Sequence, residues 1–241
     1  MLLDFDCGNT RIKWRLSEEG GRVRAQGAWD GPLGNASLPP ELVAVRSLER
    51  VRVASVAAPE LGVELVTLCR STWSVAPEFA RTHAVQCGVV NGYQDPSRMG
   101  VDRWLAVLAA ASRSPRRAVA VLDCGTTITL DLVRASGHHV GGYIVPGLRL
   151  FREGLNQHAH RLLVDRFALG DHRAGTNTAA AISNGVTCML RGLVDGVDAQ
   201  LGESPEWYVA GGDGRDVMEA LRLPGRYCPD LVLDGLALAM P

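Results

Sequence analysis

The sequence predicts an α/β protein made of two related halves, and three observations lead there. Asp-Cys-Gly-Asn-Thr at residues 6–10 returns almost unchanged as Asp-Cys-Gly-Thr-Thr at 123–127. Each copy follows a short apolar run, MLLDF before the first and AVAVL before the second. Each is also followed by alternation: Ile12, Trp14 and Leu16 after the first, Ile128, Leu130 and Leu132 after the second. A period of two marks a half-buried strand, so both copies are predicted to fold as strand, tight polar turn, strand.

Taken in order, residues 1–16 are predicted to form a β-hairpin turned by CGNT. Val51 and Val53 alternate in a strand within 50–60 that turns at Pro59. Residues 62–71 have a helical pattern, and 73–79 suggest a short strand ending at Pro77. Residues 91–100, NGYQDPSRMG, are dense in turn formers and predict a loop. Trp104, Leu105, Leu108 and Ala111 then recur at helical spacing, which puts Asp102 and Arg103 at a helix N-terminus. Residues 116–133 give the second hairpin, 137–148 a turn and third strand, and 149–163 an amphipathic helix. A longer helix is predicted over 175–202, opened by a Thr/Asn cap. Residues 206–214 run from a strand into a Gly-rich turn, 215–222 form a helix, and 230–240 close the chain as an apolar helix. No linker of biased composition divides the sequence, so the repeat sets the expected boundary: domains 1–115 and 116–241, divided at SRSPRR.

Composition narrows the function. Apolar residues make up 46% and charged residues 21%, ordinary for a globular protein with a core. A formal net charge of −1 gives no electrostatic footprint for nucleic acid or an anionic membrane. Asp4 and Asp6 interrupt the apolar start, and no segment approaches the ~20 apolar residues that span a bilayer; a cytoplasmic protein is expected. The six cysteines are scattered without CxxC spacing and are expected to be free thiols. The pairs His138/His139 and His158/His160, with His172, lack carboxylate or Cys partners at ligand spacing, so surface or core roles are expected. Among 25 basic residues only Lys13 is a lysine; it is either incidental or a compact ammonium suited to a phosphate.

An Asp at a strand end before a Gly turn with Asn or Thr suits a nucleotide phosphate. Glycine admits close backbone approach, and turn N–H groups and hydroxyls donate to oxyanions. The carboxylate itself would repel bare phosphate and makes sense with a cation between them. An ordinary hairpin turn explains one copy; two copies on matching strands suggest hairpins that clasp phosphates from both sides. The turn AGGDG at 210–214 offers flat access to a base or ribose, or is simply structural. Asp102 fits a general base or a carboxylate that only favours the helix dipole. Arg103 fits a substrate carboxylate or a surface ion pair, and Tyr93 a pocket wall or packing.

Paired Asp-x-Gly hairpins with a later Gly-Gly turn resemble the superfamily of acetate and sugar kinases, heat-shock chaperones and actin. Within it the chain resembles the type III pantothenate kinases. The matching pieces are DCGNTRIKW (6–14), NGY (91–93), GVDRW (100–104), DCGTTIT (123–129), GGYIVPG (141–147), TAAAISNG (178–185) and AGGDG (210–214). GVDRW and GGYIVPG in this order are the discriminating pair.

The resemblance implies a two-lobed actin-like (ribonuclease H-like) duplicated fold with mixed sheets flanked by helices. It implies ATP-dependent phosphorylation of pantothenate to 4′-phosphopantothenate, the entry to coenzyme A. It further implies that Asp6, Cys7, Gly8, Asn9, Thr10, Arg11, Ile12 and Lys13 bind the ATP phosphates, with Thr126 assisting and Mg2+ accompanying the nucleotide. Asp123 would hold a monovalent cation, potassium or ammonium. Tyr93, Gly100, Val101, Asp102, Arg103 and Thr178 would form the pantothenate pocket, with Asp102 as the base. The pocket would be completed across a homodimer, with Thr178 acting on the substrate of its own or of the neighbouring subunit. NQHAHRLL (156–163) and Thr127 depart from the family pattern. Two other readings compete with the kinase. A regulatory protein on the same fold would not need the Asp of GVDR, and sugar kinases of the superfamily are longer.

Overall fold

Alternation and turn chemistry predict the first hairpin, and the computed structural model, which describes residues 1–30, 38–158 and 166–241, contains it. Strands β1 (Leu2–Cys7) and β2 (Arg11–Ser17) pair antiparallel with Leu2 opposite Ser17 and Cys7 opposite Ile12. A third strand, β3 (Val23–Asp30), continues the meander. The chain then forms α1 (Pro40–Val43), β4 (Arg50–Ser55), α2 (Pro59–Trp73), β5 (Pro77–Phe79), and the short strands β6 (Val85–Gln86) and β7 (Val89–Val90). Helix α3 (Val101–Arg113) leads to β8 (Val119–Cys124), β9 (Thr127–Val133) and β10 (His139–Pro146). Last come α4 (Leu148–His158), α5 (Thr178–Val194), α6 (Val197–Leu201), β11 (Glu206–Ala210), α7 (Gly214–Leu221), β12 (Arg226–Tyr227) and α8 (Leu231–Ala239).

The two large sheets have the same topology. One runs β3-β2-β1-β4-β5 and the other β10-β9-β8-β11-β12. In each, the first three strands are antiparallel and the last two join in parallel. This duplicated mixed sheet with flanking helices is the actin-like, ribonuclease H-like arrangement expected from the sequence.

The chain divides into two compact units, 1–87 with 93–109 and 231–241, and 88–92 with 110–230. The division is not a single cut, because α8 packs on β1 and β4 of the first sheet. In the first unit, Leu3, Phe5, Cys7, Ile12, Trp14 and Leu16 point to one face and join Val51, Val53, Leu65 and Cys69 in a buried cluster. The other face of the same strands is charged. Asp4 stands opposite Arg15 on β2 and Arg52 on β4. Arg52 donates twice to the Asp4 carboxylate, at 2.6 and 2.9 Å, with both side chains buried. Arg15 reaches Asp234 of α8 at 2.7 Å. Such a buried pair is costly to break, about 3–5 kcal/mol when one partner is removed, because the other charge is left unanswered. In the second unit the core gathers Leu122, Ile128, Leu130 and Leu132 against Val186 and Leu190 of α5 and Val217 and Leu221 of α7.

Some elements differ from the sequence reading. Strand β5 begins at Pro77 rather than ending there, since a proline that opens an outer strand needs no amide donor. Helix α2 starts at Pro59, which sits in its first turn. The helix expected over 175–202 is two: Asp195 is extended and Gly196 left-handed (φ 80°), which separates α5 from α6. Asn177 does cap α5, its side chain accepting the N–H of Ala180. Helix α4 covers 148–158, and the rest of the stretch expected as helix, 159–163, lies outside the described residues.

Candidate functional site

Three groups of residues carry the candidate chemistry. The first is the turn of the β1–β2 hairpin. Gly8 donates its N–H to the Arg11 carbonyl at 3.1 Å, closing a loop in which Asn9 and Thr10 are exposed. Asp6 and Lys13 stand directly opposite in the register, both half-buried, on the face away from the apolar cluster. Cys7 and Ile12 turn their side chains into that cluster and leave only main-chain groups near the turn. Burial pushes the Cys7 thiol far above its ordinary range, with the Asp6 charge adding to the effect. It is therefore a packing residue and not a nucleophile.

The second group is the loop into α3. Asp95 accepts the N–H and hydroxyl of Ser97, at 3.0 and 2.6 Å, and so shapes the 3₁₀ turn Pro96–Arg98. Asp102 lies in the first turn of α3, half-buried, its Oδ1 2.7 Å from the N–H of Arg103. A Cβ on Gly100 would come 2.7 Å from that same oxygen, so glycine here leaves room for the carboxylate. Arg103 is buried and donates from Nη1 to the Tyr93 hydroxyl at 2.7 Å, with its guanidinium 5.7 Å from the Tyr93 ring centre. Val101, at the start of α3, is buried.

The start of α3 is held from several sides. Trp104 is fully buried and donates to Gln86 at 2.9 Å, and Thr82 donates to the Met99 carbonyl at 2.9 Å. Gly235 of α8 lies against the Leu105 carbonyl with no space for a side chain. Tyr93 and Arg103 are thus brought together, and Gly100 lies against the Asp102 carboxylate.

The third group lies in the second unit around the β8–β9 hairpin. Asp123 is the penultimate residue of β8 and faces Thr129 across the register, and the turn is one residue shorter than in the first copy. Two more Gly turns close on it. Gly147 donates to the Thr126 carbonyl at 3.0 Å, and its Cβ position is filled by the Gly125 and Thr126 carbonyls. Gly211 (φ 83°) presses on the Cys124 backbone, while Asp213 donates its N–H to the Cys124 carbonyl at 3.1 Å. The Tyr227 hydroxyl donates to the Gly211 carbonyl at 3.0 Å.

Beside these turns is a cleft of about 1160 Å3, lined among others by Arg149, Arg152, Phe167, Leu169, Asp213 and Arg222. Burial raises the Asp213 carboxyl above its ordinary range and Asp216 adds to this, while Arg152 and Arg149 oppose it. Arg149 and Arg152 belong to no motif of the sequence. Their spacing of three on a helix that follows Pro146-Gly147 is the signal that could have found them. Thr178 is exposed at the first position of α5 in this second unit.

The oxygen-rich turns around Asp123 fit a hard monovalent cation, which takes carboxylate and carbonyl ligands. Among the described residues no three His, Cys, Asp or Glu side chains gather in a metal cage. The six cysteines are free. His138 and His172 are exposed and His139 is buried, while the side chains of His158 and His160 are outside those described. No described helix is long and apolar enough to cross a membrane.

Comparison with known proteins adds a family. A family model described as Type III pantothenate kinase matches residues 2–200. A Type III pantothenate kinase of Pseudomonas aeruginosa (strain LESB58) is 39% identical over 251 residues, covering 100% of this chain and 99% of the relative. One from Cellvibrio japonicus (strain Ueda107) is 37% identical over 243 residues, covering 98% and 95%. Among solved structures, a conserved putative Baf family transcriptional activator from Campylobacter jejuni aligns with TM-score 0.61 at 17% identity, covering 98% of this chain and 95% of that one. A putative 2-dehydro-3-deoxygalactonokinase from Sinorhizobium meliloti aligns with TM-score 0.58 at 16% identity, covering 99% and 98%. At these identities the structural likeness shows the fold alone.

Proposed function

The chain belongs to the type III pantothenate kinase family and phosphorylates pantothenate with ATP in the first step of coenzyme A biosynthesis; from that premise we propose how its residues divide the work. The observation that carries the proposal is the geometry at the start of α3. A carboxylate, Asp102, sits one residue from an arginine whose guanidinium is already oriented by Tyr93. Arg103 takes the carboxylate of pantothenate, where a planar fork suits the ligand. Tyr93, Gly100 and Val101 shape the pocket around it. Asp102 accepts the proton of the pantothenate hydroxyl as its oxygen bonds to the γ-phosphorus, and the bond to the ADP oxygen breaks.

Asn9 and Thr10 offer N–H groups and a hydroxyl to the phosphates, Gly8 closes the turn and admits close approach, and Arg11 and the main chain of Cys7 and Ile12 lie beside it. Lys13 supplies a point charge, which Asp6 orients from the neighbouring strand. Thr126 adds a hydroxyl from the second hairpin. The Gly211–Gly214 turn and the adjoining cleft take the base or ribose. Asp123 holds potassium or ammonium, and Mg2+ accompanies the nucleotide; these cations neutralise phosphate charge when bound. Thr178 completes the pantothenate pocket of the other subunit in a homodimer. With ATP, Mg2+ and K+ present, ADP release should require pantothenate; equal release with glucose or acetate would refute the substrate.

A further inference from the structure

Outside the residues assigned above, the second unit contains a buried ionisable pair that the phosphoryl transfer does not use. His139 is 0% exposed, and its Nε2 lies 3.0 Å from Oδ1 of Asp131, itself 2% exposed. Its other ring nitrogen, Nδ1, accepts the N–H of Gly92 at 3.4 Å. A ring that accepts at Nδ1 carries its hydrogen on Nε2 and donates it to Asp131; the partners assign this tautomer. The carboxylate therefore fixes both the tautomer and the direction of the ring, as in other carboxylate–histidine pairs.

The connection to Gly92 is more than one hydrogen bond. Residues 88–92 run along 137–140, with Val90 donating to the Gly137 carbonyl at 3.0 Å and forming a parallel bridge with His138. Gly92 presses on the His139 carbonyl where any Cβ would overlap it, so this residue must be glycine. The next residue in the chain is Tyr93, whose hydroxyl receives the Arg103 guanidinium.

We infer that His139, held by Asp131, is a positioning residue for pantothenate. Through the Gly92 N–H it fixes the backbone direction from which Tyr93, and with it Arg103, is presented to the substrate. The inference rests on the assignment of Tyr93 and Arg103 to the pantothenate pocket. A shift of about 1 Å in such a positioning group costs on the order of a hundredfold at the extreme.

Two variants separate the ring's two hydrogen bonds. In His139→Asn the amide oxygen takes the place of Nδ1 and still accepts from Gly92. In His139→Gln the amide reaches Asp131 but leaves the Gly92 N–H without its acceptor. His139→Gln should raise KM for pantothenate about tenfold with KM for ATP unchanged, while His139→Asn and the exposed control His138→Ala stay near wild type. Equal pantothenate KM in the Gln and Asn variants would overturn the inference, as would parallel rises for both substrates. In the unsubstituted enzyme the Gly92 amide should be protected from hydrogen exchange, and rapid exchange would also overturn it. Tyr93→Phe distinguishes the two failures. If it raises pantothenate KM and His139→Gln does not, this inference alone falls. If neither variant changes KM, the pocket assignment falls with it.

Discussion

Asp6 stands opposite Lys13 in the first hairpin, whereas Asp123, its counterpart in the repeated motif, stands opposite Thr129. The difference follows from one residue of turn length, because pairing resumes at Ile12 after Cys7 but at Ile128 after Cys124. In a strand, directly opposed residues share a face. One carboxylate therefore stands opposite a lysine and the other opposite a hydroxyl-bearing residue, so the two copies of the motif present different chemistry.

Lys13 is the first consequence. As a point charge on the phosphates it should contribute a charge-assisted hydrogen bond of about 1.5–3 kcal/mol. Lys13→Met should therefore lower kcat/KM for ATP by about 10- to 100-fold and leave KM for pantothenate unchanged in steady-state assays. Equal loss for both substrates would point to a folding defect instead.

Asp123 gives the second. At constant ionic strength, wild-type turnover should rise on replacing Na+ by K+ or NH4+, and Asp123→Asn should flatten that response. A K+ titration of the variant that matches wild type would remove the cation from this carboxylate.

Asp213 gives the third, through pH. Its folded-state carboxyl is raised by burial and Asp216, so the native state holds this proton more tightly than the unfolded chain does. The contribution is present below the ordinary Asp value of about 3.9 and is lost as pH rises through the raised value. Asp213→Asn keeps the size of the side chain, which makes no capping hydrogen bond at the start of α7, and removes that loss. Its Tm should exceed wild type at pH 7, with the gap closing near pH 3. A gap that widens on acidification would reverse the sign.

Much of this was legible in the sequence because it rests on local rules. Alternation around DCGNT and DCGTT marked both hairpins, and helical spacing from Trp104 to Ala111 placed Asp102 and Arg103 at an N-terminus. The unread parts depend on partners distant in sequence. β3 and α1 fall in 17–49, which gave no reading, and β12 is two residues long. The His139–Asp131 pair joins neighbouring strands across a register shift between His139 and Gly141, which no spacing rule anticipates. The return of α8 to the first sheet is set by Asp234 on Arg15 and by Gly235 on the Leu105 backbone. Neither contact is visible as a motif.

The central claim is that Asp102 is the base acting on a pantothenate held by Arg103. Its most direct test is pantothenate-dependent ADP release by Asp102→Asn, with ATP and pantothenate binding measured on the same sample. Loss of a positioned general base costs about 10²–10⁴ in rate, so kcat should fall by that order while both substrates still bind. Turnover at the wild-type rate would contradict the claim.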